Sequence, residues 1–208
     1  MIALVVGGAK RGKSMFAQDL AKSLNESFKI DLKKDLDRNL DRSLDNSFKK
    51  KSGKLYYVAT MNPYDLEDLK RIENHLRERE GYGFNTIEET IDMSKVSKLI
   101  QKNDTVLIDS VTSLVTNYMF QGKDFFKEVS EDILSGILEI IDAADDVVIV
   151  SDYLFSDSIQ YDCYTESFRK EIGIINRKLA ELADIVVECS YGNIIYHKDR
   201  PIYCKEEK

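Results

Sequence analysis

The sequence predicts an α/β fold, a mostly parallel sheet with helices packed on both faces. Three observations predict it. Apolar runs of strand length recur along the chain, at Ile2–Val6, Lys54–Thr60, Thr105–Ser110 and Val147–Ser151. They are continuously apolar rather than alternating, as strands covered on both faces are. Between them lie stretches with apolar residues at helical spacing, and strands alternating with helices argue for parallel connections.

The first run opens onto Lys13–Leu24, where Met15, Phe16, Leu20, Ala21 and Leu24 recur at helical spacing. The composition then changes. From residue 26 to 53 the chain reads ESFKIDLKKDLDRNLDRSLDNSFKKKSG, with Phe28, Leu32, Leu36, Leu40, Leu44 and Phe48 separated by charges. A four-residue step turns about 400° on an α-helix, so the apolar stripe drifts by about 40° per step and cannot follow a straight seam. The segment reads as a charged, low-complexity insertion, either a solvated helical extension or a mobile loop. A partner-binding or oligomer-contact helix is the alternative. Deleting about Lys29 to Lys51 is expected to leave the fold intact, because long surface insertions cost little.

After the insertion, KLYYVAT is the second strand and Leu66–Glu80 a helix by spacing and charge. TVLIDS is the third strand. Val111–Phe120 and Phe125–Ile141 read as helices, VVIVS as the fourth strand, and Glu166–Leu182 as a further helix. Ile185–Glu188 and Asn193–Tyr196 are short strands joined by a turn at Tyr191-Gly192, a closing pair that adds an antiparallel edge strand. With two prolines in 208 residues nothing marks a linker, so the expectation is a single domain over 1–208.

Composition excludes several classes. No apolar run approaches the length of a membrane span. The opening MIALVVGG is too short an apolar run for a signal peptide and lacks a preceding basic region. Cys163, Cys189 and Cys204 are scattered, without zinc-ligand spacing, which suits reduced thiols in a cytoplasmic protein. A formal net charge of -7 argues against nucleic-acid binding.

The strongest local signal is Gly7–Ser14, GGAKRGKS, a full G-x-x-x-x-G-K-[ST] between an apolar strand and a helix. Gly7, Gly8, Ala9, Lys10, Arg11 and Gly12 form the loop whose backbone N–H groups converge on phosphate oxygens. The helix adds its positive end. Lys13 reaches the β/γ-phosphates and Ser14 ligates Mg²⁺. Asp109 ends the third strand, where an acid holds the Mg²⁺ hydration shell; its competing role is a helix N-cap, which Ser110 can fill instead. These residues specify a P-loop NTPase-like fold, with GTP or ATP as substrate and Mg²⁺ as cofactor.

The chain has two histidines. His197 sits on a polar edge and reads as structural or solvated. His75 lies in RIENHLRERE, and on a helix Arg71 and Arg79 share its face. A histidine among arginines is kept neutral, with a ring nitrogen free to attack. From spacing alone, a solvated helix with Glu73, Glu78 and Glu80 as ion-pair partners is the better reading.

The chain resembles the bifunctional adenosylcobinamide kinase / adenosylcobinamide-phosphate guanylyltransferase family. GGAKRGKS resembles that family's GGARSGKS, with Arg11 at the usual serine. Tyr57-Val58-Ala59-Thr60 resembles its Y-I-A-T, RIENHLRER its R-I-x-x-H-x-x-x-R, and Thr86-Ile87-Glu88-Glu89 its T-x-E segment. DSVTSLVTNYMF, with Asn117, resembles the stretch after the acidic strand end. FRKEIGIINRKLAELADIV resembles its ending, through Phe168, Arg169, Gly173, Asn176, Leu179, Ala180, Ala183 and Asp184.

The resemblance implies that His75 attacks the α-phosphorus of GTP to form GMP-histidine, which passes GMP to adenosylcobinamide phosphate. It implies a kinase step on adenosylcobinamide at the same P-loop. It also implies nucleotide contacts from Ala59, Thr60, Met61, Arg77, Arg79 and Glu88, and a homotrimer.

One loop departs from the family. Where relatives read N-E-V-G-x-G-I-V-P, this chain reads DYLFSDSIQYD over Asp152–Asp162, with Phe155 and Asp157 at the glycine positions. The expectation is a different backbone there and an alteration in one activity. Two rival readings share the P-loop: a small-molecule kinase with another substrate, and a nucleotide-binding paralogue that has lost one activity.

Overall fold

The computed structural model describes residues 1–8, 11–38, 53–155 and 157–198, with the backbone alone for 27–38. Ala9 and Lys10 of the phosphate loop lie outside the described residues, as does the 39–52 part of the insertion.

The four apolar runs and the closing pair form strands. These are β1 (Ile2–Gly7), β2 (Leu55–Ala59), β4 (Thr105–Asp109), β7 (Asp146–Asp152), β8 (Ile185–Ser190) and β9 (Asn193–Lys198). A further strand, β3 (Asn85–Glu88), completes a seven-stranded sheet in the order β3-β2-β4-β7-β1-β8-β9. Every pairing is parallel except β8 with β9, the predicted antiparallel edge.

Alternation along each strand builds two cores. Ala3 and Val5 of β1, Leu107 of β4 and Val148 and Val150 of β7 face helix α1 (Lys13–Arg38) through Ala17, Ala21 and Leu24. Leu4, Val106, Ile108, Val147 and Ile149 face the other layer. That layer contains α3 (Met93–Ser97), α4 (Val111–Met119), α5 (Ser130–Ala143) and α6 (Cys163–Leu182). One helix stays outside both cores: α2 (Leu66–Glu78) has no buried residue.

The departures from expectation have local causes. β3 was not foreseen because three of its four residues are exposed, so no apolar run marks it. The expected helix from Phe125 begins only at Ser130, because Asp124–Phe125 (β6) pairs with Phe120–Gln121 (β5) in a small hairpin. The buried Glu171 carboxylate of α6 then accepts the N–H groups of Val129 and Ser130, both at 2.8 Å, satisfying donors that a helix start leaves open. α6 begins at Cys163 rather than Glu166, because Asp162 accepts from Tyr164 N and Thr165 N as an N-cap. α1 runs past Leu24 to Arg38, so the first part of the insertion is helical. Among the described residues no helix is long and apolar enough to cross a membrane.

Candidate active site

Parallel register puts the predicted residues along one edge of the sheet. Gly7 is level with Asp152, Ala59 with Asp109, and Ala59 with Glu88. The loops that follow β1, β2, β3, β4 and β7 therefore leave from the same edge, where ligands bind in open α/β sheets.

The phosphate loop is built by close approach. A Cβ at Gly7 would lie 2.5 Å from the carbonyl oxygen of Cys189, so only glycine lets β1 pass β8 there. Gly12 has φ of 83°, a left-handed turn that delivers the chain into α1. Lys13, the first residue of α1, bends back. Its ammonium donates to the Gly8 carbonyl at 2.9 Å and meets Asp152 Oδ1 at 2.6 Å. Only 10% of the Lys13 side chain is exposed, so this pair is poorly screened by solvent. Ser14 is half-buried in the first turn. Arg11 lies with its guanidinium 4.2 Å from the centre of the Tyr191 ring.

Asp109 is separate from helix capping. Ser110 caps α4 by accepting from Ser113 N, while Asp109 Oδ2 accepts from the Tyr57 hydroxyl at 2.8 Å. Burial, and next the Asp109 carboxylate, push the Tyr57 phenol well above its usual range, opposed by Arg79. The Arg79 guanidinium is 4.2 Å from the Tyr57 ring centre, and the Arg79 N–H donates to the His75 carbonyl at 3.3 Å. A chain of contacts thus runs from the end of α2 through Arg79 and Tyr57 to Asp109.

Thr60 is buried; its hydroxyl donates to Ser110 O at 2.8 Å and accepts from Ser110 N at 2.6 Å. Asn117 donates to the carbonyls of Thr60 and Thr90, both at 2.8 Å, and accepts from the Tyr64 hydroxyl at 3.1 Å. Met61 is half-buried beyond β2, and Glu88 is exposed at the end of β3.

His75 sits on the uncovered helix. The arginines expected around its ring are engaged elsewhere: Arg71 with Asp68 at 3.3 Å, Arg77 with Glu73 at 2.7 Å, and Arg79 on Tyr57. The charge beside the ring is Glu78, one of the glutamates expected as ion-pair partners, whose Oε2 is 3.2 Å from Nδ1 but out of line for a hydrogen bond. Nδ1 is itself shielded from solvent. His197, read as structural or solvated, contacts Glu188 at 2.9 Å across the closing strand pair with half of its side chain exposed.

The altered loop after β7 has contacts of its own. Tyr153 N donates to Gly7 O at 3.0 Å, Asn176 to Asp152 O at 3.1 Å, and Arg169 to Leu154 O at 3.1 Å. Phe155 packs against Gly173, and Asp157 meets Arg169 at 3.5 Å. Phe155 does not have positive φ, so the backbone at that position is not one that needs glycine.

The donor set suits magnesium. A serine hydroxyl and a carboxylate are hard oxygen ligands, and Mg²⁺ needs only one or two from protein when phosphates supply others. Among the described residues no group of three or more His, Cys, Asp or Glu forms a protein-only cage.

Sequence reasoning missed Asp152 and Tyr57 as parts of this edge, and it named Asn117 only within a resembling segment, without its contacts. Asp152 lies 139 positions after Lys13 (152 − 13), and only the adjacency of β7 and β1 joins them. Tyr57 lay within a segment already singled out, but the reach of its hydroxyl to Asp109 depends on the pairing of β2 with β4.

The fold and loop define the class: a P-loop NTPase-like α/β protein, with its candidate site at the carboxyl edge of a parallel sheet. The model for the family described as cobinamide kinase / cobinamide phosphate guanyltransferase matches residues 43–196. The chain belongs to that family. A curated relative, the bifunctional adenosylcobalamin biosynthesis protein CobU of Escherichia coli (strain K12), is 26% identical over 198 residues, covering 89% of this chain and 93% of its own. Solved structures of similar shape include an ATPase domain at 13% identity and TM-score 0.49, covering 96% of this chain and 77% of that one. Another is a KaiC-like protein from Pyrococcus horikoshii OT3, at 12% identity and TM-score 0.45, covering 96% of this chain and 80% of that one.

Proposed function

We propose that this chain assembles the nucleotide part of cobalamin in two steps at one site, phosphorylating adenosylcobinamide and then transferring GMP to the product. The observation that supports this most is the shared edge. The P-loop lysine, Asp109 and the helix bearing His75 all follow strands that end there. Cobalamin biosynthesis is also what the name of the Escherichia coli relative states.

In the kinase step the acceptor hydroxyl attacks the γ-phosphorus, the bond to the β-phosphate oxygen breaks, and the nucleoside diphosphate leaves. Lys13 and the loop N–H groups neutralise charge on the departing oxygens. In the transfer step His75 attacks the α-phosphorus of GTP, and pyrophosphate leaves. With Nδ1 shielded from solvent, Nε2 is the attacking nitrogen in this reading. The phosphate of adenosylcobinamide phosphate then displaces the imidazole, giving adenosylcobinamide-GDP. Ser14 and Asp109 would hold Mg²⁺, which offsets phosphate charge when bound. Ala59, Thr60, Met61, Arg77 and Glu88 border the nucleotide in this reading, while Arg79 acts through Tyr57. A homotrimer and a cytoplasmic location belong to the same proposal.

The test is gel labelling with α-³²P GTP and γ-³²P GTP. Acid-labile, base-stable label from the α-position alone marks a phosphoramidate, and it should vanish in His75→Ala. Covalent GMP persisting in that variant would show that another residue is the nucleophile.

A second reading rests on the rebuilt 152–162 loop. With Phe155 and Asp157 packed on α6 where glycines stand in relatives, the acceptor side differs, and a kinase with a different hydroxyl substrate fits. Phosphorylation of adenosylcobinamide by wild type decides between them.

A further inference from the structure

We propose that Tyr191, backed by Arg11, is a stacking platform for the purine ring of the bound nucleoside triphosphate. This rests on the reading of Gly7–Ser14 as the phosphate site.

The turn that carries Tyr191 is unusual. Ser190 pairs with Asn193, so Tyr191 and Gly192 are the two central residues of a hairpin turn. Both have positive φ, 51° and 79°, as a type I′ turn requires. Gly192 suits its place. Asn, Asp or Gly is favoured before it, and a bulky side chain with φ above zero is strained. Among the described residues Tyr191 is the only non-glycine residue in that region. The ring gains little packing in return, since 77% of the residue is exposed. Strain maintained without burial points to a use for the exposed face.

Position says what the use is. The hairpin lies beside the phosphate loop: Cys189 of β8, just before the tip, pairs with Gly7, and at the tip Arg11 covers the Tyr191 ring at 4.2 Å. A nucleotide with its phosphates in the loop must send its base to one side of β1. The β7 and β4 side presents the carboxylates of Asp152 and Asp109, which suit a cation and an acceptor hydroxyl rather than an aromatic ring. The β8 side presents an open tyrosine face within one side chain of the loop. Arg11 occupies one face of the ring and fixes its plane, leaving the other for the base. Stacking on an aromatic side chain tolerates any base and favours the larger area of a purine.

The experiment measures binding of GTP, ATP and inorganic tripolyphosphate by calorimetry to wild type, Tyr191→Phe, Tyr191→Asn and Lys13→Ala. Asn before Gly192 restores the favoured turn, so Tyr191→Asn keeps or raises the melting temperature while removing the ring. The expected result is a loss of about tenfold or more in GTP and ATP affinity in Tyr191→Asn. Tripolyphosphate binding should be unchanged, and Tyr191→Phe should behave like wild type. Unchanged GTP affinity in Tyr191→Asn overturns the platform, as does an equal fall for GTP and tripolyphosphate, which would mean that Tyr191 only supports the loop. Tripolyphosphate binding that survives Lys13→Ala overturns instead the phosphate-site reading beneath it.

Discussion

Lys13 and His75 stand at opposite extremes of preparation. Lys13 is nearly buried, gripped by Gly8 and Asp152, and set on a loop whose backbone passes β8 with no room for a side chain. His75 lies on a helix with no buried residue, tethered at its end through Arg79 to Tyr57. Leu66, Leu69 and Leu76 of that helix are exposed. Among the described residues the half that carries Lys13 is packed and hydrogen-bonded, whereas the half that would form the covalent bond has little packing to hold it in one position. Helices with few buried contacts are the ones that move at low cost, so the division suits a site where one group stays and another swings.

The sharpest way to break this comparison is His75→Ala. Covalent GMP should be lost completely, while phosphorylation of adenosylcobinamide, an in-line transfer, should change far less. Paired assays of trapped GMP-enzyme and adenosylcobinamide phosphate check it; loss of both in a folded variant would join the halves into one site.

Lys13→Ala should lower nucleotide-dependent turnover by about 100-fold or more, the scale for removing a preorganised donor from charge that develops in the transition state. Steady-state rates in both assays read it, and normal turnover would dismiss the loop assignment.

Asp152→Asn addresses the grip itself. An arriving triphosphate must compete with Asp152 for Lys13 and meets a like charge beside it. The asparagine, the residue that the resembled family carries here, should tighten nucleotide binding by about tenfold, one pK unit's worth of interaction. Weaker binding would mean that Asp152 holds Lys13 in its working position.

Leu69→Ser and Leu76→Ser should be the mildest. In an uncovered helix they should change stability by about 0.5 kcal/mol or less. A larger fall in thermal unfolding would show that this face is covered in the working assembly.

The sheet and its carboxyl edge were legible because β1, β2, β4 and β7 each contain an unbroken apolar run and the loop motif fixes where one of them ends. β3 was not, since an exposed edge strand carries no such signal. The phosphate-loop residues and Asp109 could be named from local pattern. Asp152 and the Arg79–Tyr57–Asp109 chain could not, because each depends on strands distant in sequence becoming neighbours. For His75, spacing favoured a solvated helix with glutamates as ion-pair partners, and Glu73 and Glu78 take that part; the competing picture of arginines around the ring is not what forms. Spacing puts Arg71 and Arg79 on its face, but each finds a closer partner, Asp68 or the Tyr57 ring.

The place of β1 within the sheet sets an order of events during synthesis. The strand leading into the phosphate loop is made before the other strands of the sheet, yet it is flanked by β7 and β8, the last of the parallel strands to be made. Val147 N donates to Met1 O, Asp184 N to Ile2 O, and Ile2 N to the Asp184 carboxylate. Until residues near 190 have been translated, β1 lacks one of its two neighbours and Gly7 has no Cys189 to pass. The nascent chain therefore carries its phosphate-loop motif without one flanking strand until β8 has been made, so the close approach of Gly7 to Cys189 is among the last contacts of the sheet to form.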